Sequence, residues 1–147
     1  LCYVSDFVTR AVAPGLIVRS DKGVVVLDLD GDGNELTGWT ILYLHQATEG
    51  RVAAGTMVQT GDVIGRPSCE GGFSTATHMH IARRYNGEWV PAHCPLCSAD
   101  QAVPRMTLGG WSVIALPGQE YQGFLERNGE TRTAEQGRLD PVNRISW

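Results

Sequence analysis

Lysine is almost absent from this sequence: of twelve basic residues only Lys22 is one, and the eleven arginines are scattered along the chain. With a formal net charge of −4 and no basic stripe to follow a phosphate backbone, nucleic acid is not expected as a partner. Long apolar runs are missing as well. No stretch approaches the roughly 20 residues that cross a bilayer as a helix, so no transmembrane segment is expected. Sustained apolar spacing of three and four residues is lacking, which argues against amphipathic helices. The chain opens on Leu1 rather than methionine, and we expect residues upstream of it to have been removed.

What is present suits a folded domain. The 147 residues are 42% hydrophobic and 19% charged, an ordinary globular balance, and chains of this size bury roughly 70% of the surface exposed by their unfolded forms. Four cysteines, Cys2, Cys69, Cys94 and Cys97, allow two disulfides by three connectivities and suit an oxidising compartment. Cys94 and Cys97 also have the spacing of half a zinc knuckle, but no second half accompanies them.

Eighteen glycines, seven prolines and many short β-branched runs predict an all-β fold of short strands. The expected strands are Leu16–Ser20, Val24–Leu29, Thr40–His45, Thr56–Val58, Asp62–Gly65 and His78–Arg84, with an Asn86-Gly87 hairpin turn following. Trp111, Val113, Ala115, Tyr121, Phe124 and Leu125, with Asn128-Gly129 as a turn, predict an appended C-terminal hairpin. The expected organisation is a main domain over 1–98, a hairpin extension over 99–133 and a polar tail over 134–147. The Asp30-Gly31-Asp32-Gly33-Asn34 segment reads first as a hairpin loop. Asp28, Asp30 and Asp32 also match positions one, three and five of a calcium loop, although Trp39 stands where the last bidentate acid belongs.

Histidine is scarce, with four in all, yet His78 and His80 lie two apart beside apolar Met79 and Ile81. In a strand this spacing places both imidazoles on one face. Alternation through Trp39, Ile41 and Tyr43 carries His45 out on a single face, so three imidazoles would meet in one site able to hold a metal and move protons. His93 lacks such support and reads as a loop residue.

The order of these blocks resembles the lysostaphin/LytM-type zinc endopeptidases. Gly15-Leu16-Ile17-Val18 follows an Ala-Pro-Gly turn, Tyr43-Leu44-His45 is similar to the family's Tyr-x-His block, and Val52 to Gly65 is similar to its Val-x-x-Gly-x-x-Val-x-x-Gly-x-x-Ile-Gly run. Ser74-Thr75-Ala76-Thr77-His78-Met79-His80 is similar to its Ser-Thr-Gly-x-His-x-His. The resemblance covers residues 11 to 91. It implies a barrel-sandwich hybrid (duplicated hybrid motif), a zinc cofactor, a peptidoglycan or other peptide substrate, and a secreted or cell-envelope location. It further implies that His80 is a zinc ligand and that His45 and His78 are the catalytic histidines.

The family completes its zinc site with a His-x-x-x-Asp pair ahead of the first strand, and no histidine precedes His45 here. Cys2 and Asp6 have that internal spacing, with a thiolate in place of the imidazole. We expect an N-terminally incomplete site, with Cys2 and Asp6 as a variant ligand pair the alternative. A degenerate, non-catalytic wall-binding or regulatory domain is the second functional class. A third is a carrier domain with a prosthetic group on Lys22, which leaves the histidines unexplained.

Overall fold

The computed structural model describes residues 1–119, 122–134 and 143–145. Tyr121 and most of the expected polar tail, residues 135–142 and 146–147, lie outside the described residues. The fold is all-β, built of twelve short antiparallel strands with no α-helix among the described residues. The chain divides into two compact units, Leu1–Val90 and Pro91–Trp147.

In the first unit the strands are β1 (Thr9–Arg10), β2 (Gly15–Asp21), β3 (Val24–Asp28), β4 (Trp39–Leu44), β5 (Met57–Val58), β6 (Val63–Gly65), β7 (His80–Tyr85) and β8 (Glu88–Val90). Six of them form an open sheet in the order β5-β2-β3-β4-β7-β8, and β1 pairs separately with β6. Turn chemistry sets the register. Lys22 and Gly23 both take positive φ, 47° and 78°, the conformation that a two-residue hairpin turn demands, and Asp21 pairs with Val24 across it. Asn86 and Gly87, at 49° and 81°, do the same between β7 and β8.

The β-branched run of β3 makes it the central strand, with Val25, Val26 and Leu27 fully buried. Val25 lies opposite Tyr43 and Leu27 opposite Ile41. These four join Ala11, Ile17, Val58 and Ile64 in one apolar cluster. Tyr43 is completely buried, and its hydroxyl accepts the Val12 N–H at 2.9 Å. Burial pushes its phenol pKa up to about 12, so it stays a neutral anchor, fixing the strand that leads to His45.

In the second unit β9 (Thr107–Leu108), β10 (Trp111–Ala115), β11 (Gly123–Arg127) and β12 (Glu130–Ala134) form a four-stranded sheet in the order β12-β11-β10-β9. The expected hairpin is its β11–β12 pair, turning at Asn128-Gly129. Ala134, placed by sequence in the tail, ends β12. His93 has a structural task, since its Nδ1 accepts the Ala115 N–H at 3.0 Å.

Candidate functional site

His45 does not extend β4 as the alternating pattern predicts. The strand stops at Leu44, and His45 turns into the left-handed region with φ +65°, a conformation rare for residues other than glycine and held only where the surroundings impose it. Those surroundings are the loop of residues 68 to 72. The His45 carbonyl accepts the Ser68 N–H at 2.7 Å and the Ser68 hydroxyl at 3.1 Å. Its ring Nδ1 lies 2.8 Å from the Glu70 carbonyl oxygen, and because a carbonyl only accepts, Nδ1 carries the hydrogen. His45 as a whole is 3% exposed.

The loop is itself fixed from three sides. The Glu70 carboxylate accepts the Thr48 N–H at 2.9 Å and the Thr48 hydroxyl at 2.7 Å, and these bonds hold its pKa below the ordinary carboxylate value. Gly71 and Gly23 approach so closely that a Cβ on Gly23 would stand 2.5 Å from the Gly71 nitrogen. Cys69 is joined to Cys2, and Cys94 is joined to Cys97, so both cysteine pairs are disulfides.

His78 does not lie in a strand either. It forms an isolated bridge with Ser68, and β7 begins two residues later at His80, so the shared strand face predicted for the pair does not arise. Its Nδ1 faces the Ala76 carbonyl oxygen at 2.9 Å and the Ser74 hydroxyl at 3.2 Å. The rings of His45 and His78 stand 4.5 Å apart at 52°. With both Nδ1 atoms directed to carbonyls, each neutral ring keeps its lone pair on Nε2. His80 is exposed and lies opposite Leu44, the residue before His45, in the β4–β7 ladder. Ser68 and Glu70 were not singled out from sequence; their only signal was a Gly71-Gly72 pair after a cysteine.

A catalytic zinc takes three protein ligands, and the described residues do not fit that need. Among them, the one group of three His, Cys, Asp or Glu atoms lying within 4.8 Å of one another is Asp28, Asp30 and Asp32, and it contains no histidine. The Cys2–Asp6 alternative is corrected by the disulfide: a sulfur bonded to Cys69 is not a thiolate ligand. Asp6 is instead exposed beside Arg66, at 3.5 Å. Asp28 is fully buried, and burial, with the neighbouring Asp30 carboxyl, raises its pKa to about 6.

No family model matches the sequence, and no curated protein matches it. Among solved structures, the fold is similar to that of pseudoalterin, an M23 metalloprotease from the deep sea. The identity is 22%, the match covers 86% of this chain and 69% of that one, and the TM-score is 0.63; at that identity the shared property is the fold.

Proposed function

We propose that this chain is a peptidase domain of the LytM type, acting on peptide bonds of cell-wall peptidoglycan, with His45 and His78 as its catalytic histidines and His80 as one zinc ligand. The observation that supports this most is the paired imidazoles, each with its hydrogen anchored on Nδ1 and its lone pair on Nε2. Such a pair is suited to general acid–base work. One ring takes a proton from an attacking water at Nε2, and a protonated ring donates to the oxyanion that forms on the scissile carbonyl.

Zinc, when bound, would supply Lewis acidity to the carbonyl and the water. His80 alone cannot complete its ligand set, and the peptidase reading needs two ligands from outside the described residues. The two disulfides suit a secreted or cell-envelope location. No helix of the described residues is long and apolar enough to cross a membrane.

The incomplete ligand set favours a second reading, a wall-binding or regulatory domain without catalysis. Release of soluble muropeptides from purified peptidoglycan separates the two. For the peptidase, the gene product supplied with zinc hydrolyses the wall, and His45→Ala or His78→Ala lowers the rate about 10²–10⁴-fold. Wall binding without hydrolysis by every form establishes the second reading.

A further inference from the structure

We propose that the loop between β3 and β4 is a calcium site built on Asp28, Asp30 and Asp32. One oxygen from each carboxylate lies within 4.8 Å of the others, a spread that a calcium ion with oxygen ligands at 2.3–2.6 Å can bridge. Backbone donors already hold part of each carboxylate. Asp28 Oδ2 accepts the Gly33 N–H at 2.9 Å, Asp30 Oδ1 the Asp32 N–H at 3.2 Å and Asp32 Oδ1 the Asn34 N–H at 2.8 Å. The Thr37 hydroxyl donates to Asp32 Oδ2.

Two buried atoms point to a ligand rather than to a loop that is merely acidic. Asp28 is fully buried, yet its Oδ1 meets no donor. Thr40 lies opposite Asp28 in the β3–β4 ladder, is 1% exposed, and its Oγ1 also has no partner. Opposed residues share a face of the sheet, so both orphaned oxygens belong to one cross-strand pair. A buried anionic oxygen without a partner is costly, and a cation relieves it. No basic side chain does so. Among the described residues no ion pair reaches these aspartates, and Arg84, opposite Thr40 in the β4–β7 ladder, pairs with Glu35 at 2.6 Å.

The chemistry of the donors selects the ion. All are oxygens, which suit a hard cation rather than zinc, and the one-three-five spacing with Gly33 at position six is the one calcium loops use. Trp39 in place of the closing bidentate acid weakens the site. We place it with the extracellular modules, at a Kd of about 10⁻⁴–10⁻³ M. This inference stands apart from the peptidase proposal, since it involves none of the histidines.

The test is thermal unfolding of the chelator-stripped chain in calcium, magnesium or zinc, beside the double variant Asp30→Asn, Asp32→Asn. Both substituted residues are exposed, and circular dichroism checks that the variant folds. A tenfold excess of calcium over Kd raises the midpoint by about 5–10 °C, magnesium raises it much less, and the double variant does not respond. No calcium shift at millimolar concentration, an equal calcium shift in the variant, or a zinc shift that equals that of calcium and is lost in the double variant overturns the proposal.

Discussion

Replacing Cys2 and Cys69 together by serine should destabilise the Leu1–Val90 unit far more than the same change at Cys94 and Cys97 destabilises its own. The Cys2–Cys69 bond spans 67 positions, whereas Cys94–Cys97 spans three. A cross-link acts largely by restricting the unfolded chain, and its effect grows with the logarithm of the closed loop. The larger loop is worth about 4 kcal/mol and the smaller about 2. For a unit of some 90 residues, about 4 kcal/mol lowers the melting midpoint by roughly 15–30 °C. Urea denaturation of both double variants measures the difference, with reductant-treated protein as a third arm. A loss below about 1 kcal/mol at Cys2/Cys69, or equal losses at the two sites, would refute the reasoning. Because Cys69 is flanked by Ser68 and Glu70, both of which hold His45, the first variant should also broaden the His45 ring signals in NMR spectra.

Glu35 joins β2 to β7 through Arg19 and Arg84, and the Arg19 guanidinium bond, with that of Arg84, holds its pKa below the ordinary value. A depressed carboxylate contributes stability above its unfolded pKa and loses it as pH falls through the folded one, so Glu35→Gln should cost about 1 kcal/mol at pH 7. The cost should vanish once Glu35 is protonated, and urea midpoints across pH read this; a constant difference at all pH values would count against the clip. Tyr43→Phe leaves the Val12 N–H without its acceptor and should cost about 1–3 kcal/mol in the same assay. Gly71→Ala forces a Cβ to 2.6 Å from the Lys22 carbonyl oxygen at φ +85°. It should cost roughly 1–3 kcal/mol and shift the tautomer balance of His45, read from ring nitrogen shifts, as the Glu70 carbonyl moves.

The strands around the core were legible because β-branched runs and paired turn residues act locally. Val24–Asp28 and the Asn86-Gly87 and Asn128-Gly129 turns show this directly. The histidine site was legible in composition but not in geometry. Period-two alternation placed His45 on a strand face, while the bonds from Ser68 and Glu70, more than twenty residues away, turn it left-handed. His78 and His80 shared a predicted strand, yet the bridge to Ser68 detaches the first of them. Cysteine pairing depends on chain path, which spacing does not encode. The Asp28, Asp30 and Asp32 pattern was visible, whereas the burial of Asp28 opposite Thr40 follows from the β3–β4 register.

Calorimetric titration of zinc into the chain in excess calcium, beside His80→Ala, His45→Ala and His78→Ala, tests the assignment of the histidines most directly. The account predicts weak binding by residues 1–147, lost in His80→Ala and kept in the other two variants. Tight one-to-one binding that survives His80→Ala, or that disappears with His45→Ala, would contradict it.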